Sequence, residues 1–176
     1  MQPLEQFRLD AMTLAPASFA RRHANWFLVH VPYERARWDE AMKWPSETPA
    51  GTLEHRGVPA PQWAIPIAKR RGTPNPERFS VGSATSRDLV LDYDFVSKLH
   101  AQIVLDADAR TIQDLGSAGG TSVNGSAVHG MARARLEAGD RVSFGKLWVQ
   151  LYEAASFHAR LRAARPLRVV QARRQA

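Results

Sequence analysis

The residues able to do chemistry fall in one stretch of the chain. Ser97, Lys98 and His100 stand within four positions, and the run GSAGGT follows at 116–121. A serine three residues from a histidine, with aspartates nearby, has the composition of an acyl-transfer triad. The sequence, however, contains no G-x-S-x-G elbow to expose such a nucleophile. GSAGGT has the glycines and hydroxyls of a phosphate cradle but lacks the Gly-Lys-Ser/Thr end of a nucleotide loop, and no helical pattern follows it. The 176 residues include no cysteine, which removes disulfides, thiolate zinc sites and cysteine nucleophiles. The six histidines, at 23, 30, 55, 100, 129 and 158, show no metal-ligand spacing. The expectation is therefore binding rather than catalysis, with no metal and no cofactor.

The elements that must position these residues are short. From Gln62 onward apolar residues alternate with period two: Trp63, Ile65 and Ile67; Phe79 and Val81; Leu89 and Leu91; Ile103 and Leu105; Val142 and Phe144; Leu147, Val149 and Leu151. Turn signals punctuate them at 72–76, 106–109, 116–120, Asn124-Gly125 and Gly139-Asp140. Many strands without long intervening helices predict an antiparallel sandwich or barrel. Pro66 puts its strand at an edge or bulge, because proline cannot donate to a ladder. Before this region the pattern predicts a helix over Pro16–His23, a strand over Trp26–Val31 and a helix over Tyr33–Trp44 stopped by Pro45. Residues 45–61, with four prolines and two glycines, read as a linker. An Ala-, Arg- and Leu-rich helix is expected over Ala155–Ala164, ended by Pro166. The domain reading is an N-terminal α/β extension and linker at 1–59, a β-sandwich at 60–154 and a basic helical tail at 155–176. Trp26, Phe27, Trp38 and Trp44 of the extension are expected to pack onto the sandwich.

Apolar residues make up 44% of the chain and charged residues 23%, which fits a packed globular protein and not a disordered or fibrous one. No stretch reaches the ~18 to 20 apolar residues of a membrane span, and the N-terminus lacks the features of a secretory signal, so a cytoplasmic location is expected. The formal net charge is +7. Residues 1–59 and 60–154 are nearly neutral, whereas 155–176 carry six arginines and no acid: Arg160, Arg162, Arg165, Arg168, Arg173 and Arg174. Such a tail can meet phosphates, an acidic protein or an anionic membrane. Nothing in the neutral body reads as a nucleic-acid face.

Residues 79–151 bring together FSVG, DLVLDYDFVSKLHAQI, DLGSAGGTSVNG and LEAGDRVSFG. This succession resembles the forkhead-associated (FHA) domain over roughly residues 62–153. The resemblance implies a mainly β, antiparallel sandwich of about eleven strands, without catalytic activity, whose loops read a phosphothreonine in a partner protein. It places Ser97 at the phosphate-binding serine with Lys98 beside it, His100 at the histidine that braces the loops, and Thr121 at the threonine of the Asn-Gly-Thr segment. Asn124 and Gly125 match a second, supporting Asn-Gly. Gly82, Asp88, Gly139, Asp140 and Gly145 match turn-setting positions. Two binding positions differ: Ser83 stands where the family has its phosphopeptide arginine, and Gly119 where it has the asparagine that holds the peptide backbone. Losing one charge-assisted and one neutral hydrogen bond costs ~2 to 4.5 kcal/mol. The expected function is accordingly a non-enzymatic protein–protein interaction module, a degenerate or atypical FHA scaffold in a bacterial signalling or assembly system. The first alternative is a working phosphothreonine reader using Ser97, Lys98 and Arg87. The second is nucleic-acid or anionic-partner binding through the basic tail.

Overall fold

Residues 26–30 read WFLVH, and a run of this kind, apolar on successive positions, suits a strand buried on both faces. In the computed structural model it is β2 (Trp26–His30), with Leu28 turned into the space between two sheets and Phe27 and Val29 turned the other way, against helices. The structure describes residues 1–31, 63–69, 75–106, 109–130 and 132–163. The helix expected over 33–44, the linker over 45–61 and most of the basic tail lie outside these residues, as do Trp38 and Trp44.

The strands are β1 (Gln2–Pro3), β2, β3 (Trp63–Pro66), β4 (Arg78–Gly82), β5 (Leu89–Val90), β6 (Ala101–Leu105), β7 (Arg110–Asp114), β8 (Thr121–Val123), β9 (Ser126–Ala127), β10 (Arg133–Arg135), β11 (Arg141–Phe144) and β12 (Leu147–Glu153). They form a seven-stranded sheet ordered β1-β3-β2-β12-β11-β8-β9 and a five-stranded sheet ordered β10-β7-β6-β4-β5. Every pairing is antiparallel except β4 with β5. This is the mainly β sandwich expected, with twelve described strands in place of about eleven. The inward residues of both sheets, among them Leu28, Val81, Ile103, Ile112, Val142 and Phe144, make one core. Each such side chain contributes about 1.5–3 kcal/mol by leaving water.

Three helices cover the outer face of the larger sheet: α1 (Leu4–Thr13), α2 (Pro16–Arg22) and α3 (Ala154–Ala163). Phe7, Phe19, Phe27 and Phe157 form their shared core, with Phe27 and Phe157 centroids 4.6 Å apart. The expected helices at 16–23 and 155–164 fall within one residue of α2 and α3, and the expected strand at 26–31 within one residue of β2. Helix α1 and strand β1 were not expected. Only Phe7 and Ala11 of α1 are fully buried, while Leu9 and Met12 face outward and blur the apolar stripe.

The β2 strand pairs with β12 over Trp26–His30 and with β3 over Phe27–Val29, so part of the first 59 residues is built into the sandwich sheet. Pro66 suggested an edge or a bulge, and the strand β3 as a whole is interior while Pro66 itself sits where one side is unpaired. Strand β3 lies between β1 and β2. Proline is tolerated because β1 covers only Trp63 and Ala64, so Pro66 has a paired neighbour on one side alone.

Candidate functional site

Three connections meet at one end of the sandwich: residues 83–88 between β4 and β5, 91–100 between β5 and β6, and 115–120 between β7 and β8. Main-chain hydrogen bonds sew them together. Ser83 N–H donates to the Ser97 carbonyl at 3.0 Å, Ala84 N–H to that of Lys98 at 3.3 Å, and Leu115 N–H to that of His100 at 2.9 Å. Gly82 permits the closest approach. A Cβ there would lie 2.4 Å from the Lys98 carbonyl oxygen and 2.9 Å from that of Ser97. Both obstacles are backbone, so Gly82→Ala is expected to push the 97–98 segment away and cost about 2 to 3 kcal/mol, read as a lower urea midpoint.

His100 is fully buried and spans two of the connections. Its Nδ1 accepts the Ser97 N–H at 3.1 Å, which leaves the ring proton on Nε2 to donate to the Gly120 carbonyl at 3.0 Å. Its edge meets the Phe144 ring at 5.6 Å. Ser97 Oγ accepts the Ala118 N–H at 3.0 Å and keeps its own proton for a further acceptor. Histidine and serine thus meet through the main chain and not through the hydroxyl. This is an arrangement for bracing, unlike that of a nucleophile with its base.

Asp114, at the end of β7, organises the third connection. Its carboxylate accepts the Gly116 N–H at 2.8 Å, the Ser117 N–H at 2.9 Å, and the Ser117 and Thr121 hydroxyls at 2.6 Å each. Burial alone would raise its pKa. The four hydrogen bonds outweigh burial and hold the carboxyl below its ordinary value. Sequence reasoning did not single out Asp114 or Ser117; the signal was the strand-ending Asp followed three residues later by Ser and seven later by Thr. Thr121, read as a candidate ligand, is buried with its hydroxyl committed to Asp114, so it braces the loop from within.

The other expected positions divide by location. Lys98 is exposed and has no carboxylate partner among the described residues. Arg87 donates from Nη2 to the Ser86 hydroxyl at 2.8 Å, while its Nε is buried with no acceptor among the described residues. Ser83 lies in the same turn, half-buried. Asp88 accepts Ser80 N–H and hydroxyl, both at 2.9 Å, and pairs with Lys69 at 3.2 Å, so it holds β4 to β5. Asn124 and Gly125, with φ of 51° and 84°, make the β8–β9 turn. Asn124 binds Asp140 at 2.8 Å and the Arg141 N–H at 2.9 Å, at the opposite end of β8 from Thr121. Gly119 is a second tight point of the site, after Gly82. A Cβ there would lie 2.9 Å from Gly145 Cα and 3.1 Å from the Phe95 carbonyl oxygen. No cluster of metal-ligating side chains occurs among the described residues.

Protein FraH of Nostoc sp. is 45% identical over 53 residues, which cover 30% of this chain and 18% of FraH, so this chain spans less than a fifth of that relative's length. Among solved structures, Mycobacterium tuberculosis EmbR in complex with a low-affinity phosphopeptide is 26% identical over 46% of this chain and 21% of its own, with a TM-score of 0.42. The FHA domain of the CT664 protein from Chlamydia trachomatis is 22% identical over 73% of this chain and 97% of its own, with a TM-score of 0.44. The family model for the FHA domain matches residues 79–145, which contain all three connections of the site, and this segment of the chain is an FHA domain, a protein-interaction module.

Proposed function

We propose that the chain is a non-enzymatic interaction module whose loop end takes a partner segment bearing phosphothreonine, with Ser97, Lys98 and Arg87 as the phosphate ligands. A phosphate dianion needs cations and hydroxyls converging from several loops. The observation that carries the reading is the bracing of Ser97. Its N–H is held by His100 and its Oγ by Ala118 N–H, which leaves the hydroxyl proton free to donate to a further acceptor, beside Lys98, which has no carboxylate partner among the described residues. The likeness to FraH extends this to a bacterial signalling or assembly role. A phosphate-independent scaffold is the second reading, favoured by Ser83 and Gly119 at two ligand positions of the family.

The test is binding of the purified full chain to a degenerate phosphothreonine peptide library beside its unphosphorylated counterpart. Phosphate-dependent binding is expected, weakened in Ser97→Ala by about tenfold or more through loss of a charge-assisted hydrogen bond. Ser83→Arg should raise it by about tenfold to a hundredfold on the same grounds. Equal binding to both libraries, or to neither, would sink the phosphate reading and leave the scaffold.

Gly119→Asn should behave oppositely to Ser83→Arg. Its Cβ meets the backbone of Gly145 and Phe95, so restoring the family asparagine is expected to cost about 1 to 3 kcal/mol of stability. It should weaken peptide binding in the titration that scores Ser83→Arg as a gain.

A further inference from the structure

The loop end carries exposed apolar surface as well as hydroxyls and cations. Five large apolar residues are exposed among the described ones: Met1, Leu9 and Met12 on or beside α1, and Phe95 and Leu99 two residues to either side of Ser97. Phe95, 36% exposed, is the one whose side chain is held in place from several directions. Its turn is closed by Val96 N–H donating to the Tyr93 carbonyl at 2.9 Å, and Val96 itself is buried in the core. The Phe95 ring stacks on that of Tyr93, with centroids 5.3 Å apart and planes 27° from parallel. Tyr93 packs against the sandwich core, and its hydroxyl accepts the Nε1–H of buried Trp63 at 3.2 Å. On the other side the Phe95 carbonyl oxygen abuts Gly119 and Gly145, where a Cβ would lie 3.1 Å and 2.9 Å from it. A Cβ on Gly145 would also stand 3.5 Å from the Phe95 ring, so glycine there leaves that flank of the ring without a side chain over it. Asp92 and Asp94, on either side of Tyr93 in the chain, are exposed and make no ion pair among the described residues.

We propose that Phe95 sets which partner segments the loop site accepts: its ring receives an apolar side chain a few residues from the phosphothreonine, and Asp92 and Asp94 disfavour an acidic one there. The inference rests on the phosphothreonine reading of the site. Phe95 and Ser97 are two residues apart, and an extended partner segment advances about 3.3 Å per residue, so a side chain about two to four positions from the phosphothreonine reaches the ring. A ring already fixed by Tyr93 loses little freedom on binding, so the apolar area it covers contributes to affinity almost undiminished. An acidic side chain at the same place would sit near two like charges, which weakens binding. The division of labour is chemical. Ser97, Lys98 and Arg87 face the group that all phosphothreonine segments share, whereas the ring and its two carboxylates tell one flanking sequence from another.

The test is selection by the purified full chain from a phosphothreonine peptide library randomised on both sides, followed by titration of the selected peptide. Leu, Ile, Val, Met or Phe should be enriched at one position and Asp and Glu depleted there. Alanine at that position of the peptide, or Phe95→Ser in the protein, should each weaken binding about fivefold to tenfold, and the two changes together little more than either alone. In Phe95→Lys the apolar enrichment should disappear. The peptide-side substitution reads the same contact in the unaltered protein, so the result stands whatever Phe95→Ser does to folding. Phosphate-dependent binding without an apolar preference, or with one that survives Phe95→Ser, would overturn the inference and leave phosphothreonine recognition standing. Enrichment of Lys or Arg would overturn it as well and would give the place to Asp92 and Asp94. Absence of any phosphate-dependent binding would remove this inference together with the reading it rests on.

Discussion

Replacing Asp114 by alanine is expected to lower stability by about 3 kcal/mol, the size of one or two charge-assisted hydrogen bonds lost together. Its carboxylate is the common acceptor of two main-chain N–H groups and two hydroxyls, so one truncation releases the whole 115–120 connection. The effect has a pH signature. A carboxyl held below its ordinary value by hydrogen bonds takes up a proton less readily in the folded than in the unfolded chain. Its contribution is then fully present above the unfolded pKa of about 3.9 and is lost as pH falls through the folded value. The urea midpoint of the wild type should therefore fall more between pH 5 and pH 3 than that of Asp114→Asn, in which the group no longer titrates. Parallel curves for the two proteins would show that Asp114 carries no such linkage. The comparison with asparagine is needed because other carboxylates titrate in the same window.

His100→Ala should be at least as damaging, with a loss of about 3 to 4 kcal/mol from a cavity in a fully buried position and two hydrogen-bonding groups left without partners. The groups released are the Ser97 N–H and the Gly120 carbonyl, one on each side of the candidate site. The consequence for binding follows from position rather than from chemistry. With Ser97 no longer held, its hydroxyl samples many orientations, and ordering it again on binding costs affinity. Denaturant unfolding with peptide titration separates the two effects. Under conditions where the variant is fully folded, its affinity should still be below that of the parent. An unchanged affinity there would show that His100 stabilises the fold without positioning Ser97.

The candidate site was legible in the sequence where chemistry is local. Ser97, Lys98 and His100 lie within one short segment, and the turn residues around them follow a spacing that the backbone imposes. Departures such as Ser83 and Gly119 were equally visible, because they are differences of residue type. Asp114 was not legible as an organiser. Its partners are ordinary serine, threonine and backbone groups, and only the path of the 115–120 connection brings all four onto one carboxylate. The meaning of Gly119 also came from contact: a Cβ there collides with Gly145, twenty-six residues away in sequence.

The sequence by itself determined the class of fold, since period-two alternation and closely spaced turns without long intervening helices favour a mainly antiparallel sandwich, although one pair, β4 with β5, runs parallel. It also determined the location of the basic charge and the absence of thiol chemistry. Which strands neighbour one another was decided only by the tertiary structure. Alternation says which face of a strand is apolar but not which partner covers it. The joining of β2 to β12 across more than a hundred residues is a matter of packing, because Phe27 and Val29 need the helical layer on one side while Leu28 needs the sandwich core on the other. The same physics accounts for α1. Its own pattern is too weak to specify a helix, and the pocket made by Phe19, Phe27 and Phe157 supplies the burial for Phe7 that makes it one.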